Sequence, residues 1–181
     1  MVDTVTPTST PLSVPSFSRK PPMPIALYPG TFDPITFGHI DIAVRASKIF
    51  TKVIAVVADN PHKHPLFSVK ERLSMVKEAV KDVPQIEAVS YSGLIANCLK
   101  EFGATTIIRG LRALSDFDYE FQMAFTNRNI NVKAETVFLM PSAKYVYLNS
   151  TMVKEIAELG GDVNAFVPAA VMERLHKKMK R

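Results

Sequence analysis

Tyr28-Pro29-Gly30-Thr31-Phe32-Asp33-Pro34-Ile35-Thr36-Phe37-Gly38-His39 is the stretch whose reading decides the fold of this 181-residue chain. It follows the apolar run Ile25-Ala26-Leu27 and leads into Ile40, Ala43, Val44 and Ser47 at helical spacing, so it reads as strand, glycine-bearing loop, helix. An anion suits such a place. Gly30 holds no side chain against a ligand, Asp33-Pro34 favours a turn, and a helix starting near Phe37 or Gly38 aims unpaired amides into the loop. His39 falls in that helix's first turn, where an imidazole can offer an N–H to phosphate oxygens and a polyanion would favour its protonated form. Taken alone, the stretch also fits an ordinary turn with a first-turn histidine paired to backbone or a carboxylate. The chain has neither G-x-x-x-x-G-K-[ST] nor G-x-G-x-x-G, so P-loop and dinucleotide-dehydrogenase readings lose their main support.

Outward from this loop, strand and helix take turns. The pattern predicts strands at Ile25 to Tyr28, Val53 to Ala58, Ile86 to Val89, Thr105 to Ile108 and Thr136 to Met140. Helices are predicted at Gly38 to Phe50, from Ser68 through a Ser68-Val69-Lys70-Glu71 capping box, at Leu94 to Phe102, at Asp116 to Asn129, and from Met152 to Leu159. A last helix carries Val171, Leu175 and a basic end that complements its dipole. Alternation of this kind gives an α/β fold: a Rossmann-like, doubly wound parallel sheet with helices on both faces, in one domain over residues 25 to 181. Ligands bind such sheets beyond the carboxyl ends of the strands. Residues 1 to 24 hold six of the 13 prolines among Ser and Thr, and read as a disordered extension.

Composition sets the bounds. Hydrophobic residues at 47% supply a core, with no run long enough to span a membrane and no signal peptide, which predicts a cytoplasmic protein. Lone Cys98, among Leu94, Ile95, Ala96 and Leu99, reads as a buried structural thiol. Of the net charge of +5, Lys177, Lys178, Lys180 and Arg181 account for four, so the body is nearly neutral. That predicts a solvated basic tail and argues against nucleic acid as a partner.

The loops after the strands are basic. Asp59-Asn60-Pro61-His62-Lys63-His64-Pro65 holds three groups able to carry positive charge, although for this loop taken alone a solvated turn is the better explanation. In Arg109-Gly110-Leu111-Arg112 two guanidinium forks suited to phosphate flank a glycine that permits close backbone approach. Ser115 to Arg128 reads as an amphipathic helix with Phe117, Phe121, Ala124 and Phe125 toward the core; on it, Glu120 by itself is a surface charge. Tyr145-Val146-Tyr147-Leu148-Asn149-Ser150-Thr151 brings hydroxyls and amides to a helix start, a second place for phosphate.

These motifs carry a resemblance. Gly30-Thr31-Phe32-Asp33-Pro34 with Thr36-Phe37-Gly38-His39 looks like the T-x-G-H form of the nucleotidyltransferase H-x-G-H signature. Ile108-Arg109-Gly110-Leu111-Arg112, Asp118-Tyr119-Glu120 and Val137-Phe138-Leu139-Met140-Pro141-Ser142 recur in that order in the bacterial phosphopantetheine adenylyltransferases, which the chain resembles over about residues 25 to 175. The resemblance implies conversion of ATP and 4′-phosphopantetheine to 3′-dephospho-CoA and pyrophosphate, the penultimate step of coenzyme A synthesis. It assigns Thr31, Lys63, Ile95 and Arg109 to the acceptor. To ATP it assigns Thr31, Phe32 and His39, then Gly110, Leu111, Arg112 and Glu120, and lastly Tyr145, Val146, Tyr147, Leu148, Asn149, Ser150 and Thr151. His39 would stabilise the transition state. Mg2+ is implied on the leaving pyrophosphate, as is a homohexamer. The chain departs from the pattern at Asn149 and Thr151, where serines are usual, and at Phe37, where a small polar residue is common.

The residues themselves agree on one chemical point. There is no Ser-His-Asp arrangement, no cysteine beside a base and no ligand cluster at metal spacing. A substrate phosphate is already anionic, so the protein need only align two phosphates and stabilise charge. The same scaffold serves transfer of CMP to glycerol phosphate or of AMP to nicotinamide mononucleotide, and a non-catalytic nucleotide-binding protein is a further alternative.

Overall fold

The computed structural model describes residues 24 to 60 and 64 to 179. The expectations for the N-terminal extension before Pro24, for His62 and Lys63, and for Lys180 and Arg181 lie outside the described residues. β1 (Ile25–Gly30) is central, between β2 (Lys52–Ala58) and β4 (Thr106–Gly110), with β3 (Ile86–Tyr91) and β5 (Glu135–Leu139) at the edges. All four pairings are parallel, in the order β3-β2-β1-β4-β5. The chain therefore winds outward from β1, then returns to its other side. A cleft opens where those windings part, between the carboxyl ends of β1 and β4.

Both alternating sets of strand side chains are apolar, which is what a sheet covered on both faces requires. Ala26, Tyr28, Val53, Ala55, Val57 and Ile108 meet α1 (Phe37–Ala46), α2 (Val69–Val80), α5 (Ser150–Glu158) and α6 (Ala169–Met179). Leu27, Ile54, Val56 and Ile107 meet Cys98 and Leu99 of α3 (Ile95–Glu101). Cys98 is buried there, and burial first, then Glu101, pushes its thiol up to about 11. The Ser68–Glu71 capping box forms as expected, with Ser68 N–H donating to Glu71 Oε2 at 2.7 Å. Helix bounds shift by one or two residues, and α1 stops at Ala46 while residues 47 to 50 turn. Among the described residues no helix is long and apolar enough to cross a membrane.

Two expectations are corrected. α4 (Leu114–Ile130) does not turn its phenylalanines to the core: Phe117, Phe121 and Phe125 are 41%, 45% and 54% exposed. They lie along the outside with ring centroids 5.4 and 4.7 Å apart, while Asp116, Glu120, Ala124 and Asn127 form the more buried face. Spacing of i, i+4 shows that residues share a face but not which one, and Glu120 is drawn inward by a cation. Nor is the basic end of α6 wholly solvated. Lys178 Nζ lies 2.9 and 3.2 Å from the Glu71 carboxylate oxygens and 5.5 Å from the centre of the Phe67 ring. That contact, with the capping hydrogen bond from Ser68, holds the Glu71 carboxyl well below the usual carboxylate range.

Candidate active site

The loop after β1 is shaped by Phe32. Its backbone lies in the left-handed region at φ 49°, a conformation that costs a bulky residue about 1 kcal/mol. The ring folds back between Tyr28 and His39, edge-on to both, with the His39 ring centre 5.2 Å away. A Cβ on Gly30 would sit 2.8 Å from that ring. Gly30 is thus needed for Phe32 to support His39, and it also lines both of the cavities described below.

His39 is held by the cap of its own helix. Thr36 is the N-cap of α1, and its N–H donates to His39 Nδ1 at 3.1 Å. Thr36 Oγ1 lies 3.0 Å from the same nitrogen and accepts the His39 amide at 3.4 Å. Because Nδ1 accepts a backbone N–H it carries no proton, which leaves Nε2 as the ring's donor. Burial, then Arg112 and Arg109, push the imidazole down to about 4, so the ring is neutral rather than protonated in the unliganded protein. The amides of α1 are mostly spent: Phe37 N–H goes to Phe166 O at 2.9 Å, His39 to Thr36 Oγ1 and Ile40 to Thr36 O. Here the imidazole, more than the helix start, is the available donor.

Opposite lies the loop after β4. Arg109 meets Glu120 through two hydrogen bonds, Nε to Oε2 at 2.6 Å and Nη2 to Oε1, while Nη1 donates to Pro29 O at 2.7 Å. Burial works against the Arg109 charge, and Glu120 more than offsets it, holding the guanidinium above its ordinary range. Glu120 is 8% exposed, so its reading as a surface charge is corrected: it orients the arginine. Arg112 pairs with Asp116 at 3.1 Å on the same rim. A Cβ on Gly110 would meet Ile42 Cδ1 at 2.5 Å, so this glycine also lets α1 pack close.

The third wall is the start of α5. Asn149 is its N-cap, with Oδ1 accepting Met152 N–H at 2.8 Å, and Ser150 Oγ donates to Pro34 O at 2.8 Å. Both side chains hold the loop in place, and the amides of Ser150 and Thr151 precede the first intrahelical bond.

These walls enclose a cavity of about 600 Å3 lined by Thr31, Phe32, His39, Arg109, Gly110, Arg112, Glu120, Leu148, Asn149, Ser150 and Thr151. Leu111, Tyr145, Val146 and Tyr147 are not among its lining residues. Tyr145 instead packs on Phe37 at 6.2 Å, which gives the aromatic residue at position 37 a packing role. A second cavity of about 160 Å3 shares Thr31, Arg109, Tyr119 and Glu120 with the first and extends to Ala58, Asn60, Ile95, Met123 and Asn127.

Sequence reasoning passed over Asp33, Lys154, Asp41 and Ser142. Asp33, 4% exposed, accepts the amides of Leu66 and Phe67, both at 2.9 Å, and Lys154 Nζ at 2.8 Å. Asp41 accepts Ser142 N–H at 2.9 Å and Oγ–H at 2.6 Å, tying the loop after β5 to α1. The acidic residue before a proline in the first loop was the available signal for Asp33; distant pairing hid the others.

The cytidylyltransferase-like family pattern matches residues 27 to 156. The phosphopantetheine adenylyltransferase of Caldanaerobacter subterraneus subsp. tengcongensis is 51% identical over 159 residues, 88% of this chain and 99% of that one. The chain belongs to the phosphopantetheine adenylyltransferase family. Its fellow member from Methylococcus capsulatus is 51% identical over 153 residues, covering 84% of this chain and 94% of that one. The crystal structure of a putative nicotinate-nucleotide adenylyltransferase from Vibrio parahaemolyticus, 16% identical, superposes with a TM-score of 0.62 over 87% of this chain and 96% of that one. At that identity it speaks for the fold of the family.

Proposed function

We propose that this member of the family transfers the adenylyl group of ATP to 4′-phosphopantetheine, giving 3′-dephospho-CoA and pyrophosphate. The observation that carries the reading is two joined cavities sharing Arg109, one flanked by Arg112, the His39 Nε2–H and the α5 amides, the other apolar toward Ile95 and Met123. ATP takes the larger and the acceptor the smaller, its pantetheine arm along Ile95 and its phosphate toward Arg109 and Thr31. Glu120 must share the Arg109 guanidinium with that phosphate. Lys63 is assigned to the same phosphate by family likeness alone. Leu111, Tyr145, Val146 and Tyr147 are retained for ATP on likeness too.

Among the described residues no activated nucleophile lines either cavity: Ser150 is spent on Pro34 O, and Cys98 is buried in the opposite core. The attacking atom is then the acceptor's phosphate oxygen, which displaces pyrophosphate in line at the α-phosphorus without a covalent enzyme intermediate. His39, fixed by Thr36, donates from Nε2 to the α-phosphate as negative charge gathers there. A preorganised donor of this kind is worth about 3 to 4 kcal/mol of barrier.

Every carboxylate lining the larger cavity already has a cation: Asp33 has Lys154, Asp116 has Arg112 and Glu120 has Arg109. That donor set fits Mg2+ carried in on the nucleotide phosphates, where the ion offsets charge on the pyrophosphate. The exposed Phe117, Phe121 and Phe125 support self-association, for which a homohexamer is the family expectation; light scattering tests it. A cytoplasmic location fits these substrates. Pyrophosphate release with Mg2+, ATP and 4′-phosphopantetheine tests the activity, with glycerol phosphate plus CTP and nicotinamide mononucleotide plus ATP as the competing pairs. Release only in the first supports the reading; release in either other pair, or none, overturns it.

A further inference from the structure

Arg72, in the first turn of α2, is 1% exposed, yet no carboxylate among the described residues pairs with it. Buried guanidinium groups are costly unless satisfied, and this one is satisfied by main-chain carbonyls. Nε donates to Phe67 O at 3.1 Å, and Nη1 donates to Thr31 O at 2.6 Å and to Ala58 O at 2.9 Å. The three acceptors mark three chain segments: Thr31 follows β1, Ala58 ends β2 and Phe67 sits just before α2. On the other side Asp33 takes the amides of Leu66 and Phe67. The connection between β2 and α2 is therefore tied to the loop after β1 at both of its ends, by Arg72 at Ala58 and by Asp33 at Leu66 and Phe67. Thr31 and Ala58 both line the smaller cavity, whereas Ala58 does not line the larger.

We infer that Arg72 is a positioning residue for the acceptor: where the β1–β2 ladder ends at Gly30 and Val57, it takes over and fixes Thr31 and Ala58 against the chain entering α2, and with them one wall of the smaller cavity. The inference rests on reading that cavity as the acceptor's. Only arginine suits the task, because its planar fork reaches carbonyls in different directions, while a lysine ammonium is a point donor on a stem that ends short of them. Nothing in Arg72 touches substrate. Its effect runs through Thr31 and Ala58.

The variant Arg72→Lys keeps the charge and loses the geometry. In pyrophosphate-release kinetics with each substrate varied in turn, KM for 4′-phosphopantetheine should rise about tenfold, with KM for ATP within twofold and kcat within threefold. Calorimetric binding of 4′-phosphopantetheine should weaken by the same factor. Equal rises in both KM values, a fall in kcat alone, or no change overturns the inference, since a merely structural role would not separate the substrates. Should the variant fail to fold, hydrogen exchange on the wild-type chain decides. Binding of 4′-phosphopantetheine must slow the Phe32 and Asp59 amides, which share peptide groups with the Thr31 and Ala58 carbonyls that Arg72 holds, more than a non-hydrolysable ATP analogue does, and the reverse order overturns the inference. Wild-type binding of 4′-phosphopantetheine without pyrophosphate release would sink the proposed activity while leaving Arg72 to be judged by calorimetry; no binding at all sinks both.

Discussion

Two helix starts line the larger cavity, and they spend their polar groups in opposite ways. At α1 the cap is built from the histidine proposed to act: Thr36 and His39 satisfy each other, and the bond that closes the helix end also fixes which ring nitrogen carries the proton. At α5 the cap is Asn149, a side chain with no proposed part in the chemistry, and the hydroxyl of Ser150 is used on the loop carbonyl of Pro34. Stability and chemistry are thus fused in one place and separated in the other. Loss of the cap at α1 should move stability and turnover together, and loss of the cap at α5 should move stability and ATP binding without touching the chemical step.

The largest break in that comparison is His39→Ala, which removes the Nε2 donor and half of the capping box. Turnover should fall at least 100-fold, ATP affinity should stay within about twofold, and thermal unfolding should show a loss of about 1 kcal/mol. His39→Gln sharpens the result. Glutamine at the third helical position can restore the reciprocal cap without an imidazole, so it should recover the stability and not the turnover. Calorimetry, unfolding and single-turnover kinetics on the pair separate the two roles, and wild-type turnover in either variant removes His39 from the mechanism.

A smaller effect follows from acid. His39 is pushed down to about 4 from an ordinary 6.5, so below pH 6.5 the unfolded chain takes up a proton that the folded chain refuses until about pH 4. The folded state therefore gains stability from this group above pH 6.5 and loses it as pH falls toward 4. By pH 5 the loss approaches 2 kcal/mol as an upper bound, because one edge of the ring is open to the cavity. Thermal unfolding between pH 7 and pH 5 should show this slope in the wild type, and His39→Gln should flatten it. The depressed carboxyl of Glu71 interferes little, since the stability it contributes is lost as pH falls from its ordinary 4.5 toward about 2, below the span from pH 7 to pH 5. Parallel slopes in the two proteins would mean that the ring titrates normally.

How much of this was legible in the sequence depends on whether the signal was local. The order of strands and helices, the Ser68 capping box and the gathering of His39, Arg109 and Arg112 at the carboxyl ends of the strands all follow from patterns a few residues long. The face of α4 does not. Its phenylalanine spacing was read correctly as one stripe and wrongly as an inward one, because the choice was made by Arg109, eleven residues upstream in another element, pulling Glu120 inside. Gly30 lines both cavities, as its place in the loop implies, but that its missing Cβ also makes room for the Phe32 ring shows only in the fold. Asp33 showed in a linear reading only as part of a turn, because the Leu66 and Phe67 amides and the Lys154 ammonium reach it from far along the chain. Arg72 left no mark at all, since its partners are main-chain carbonyls. Buried charge without a charged partner is visible only once the chain is folded.

The smallest expected effect is the one that tests the separation at α5 most directly. Asn149→Ser replaces one good N-cap with another, and the two residue types stabilise a helix start about equally. If Asn149 only caps, its replacement should shift stability by less than about 0.5 kcal/mol, and KM for ATP by less than threefold, because the amides of Ser150 and Thr151 keep their places. Asn149→Ala removes the acceptor for Met152 N–H and should cost about 1 kcal/mol, with a matching loosening of ATP binding as the α5 start frays. The ordering matters more than either value: serine close to wild type, alanine below both. Were serine to bind ATP much more tightly than asparagine, the side chain at position 149 would be reaching the nucleotide itself, and the division of labour between the two helix starts would fail.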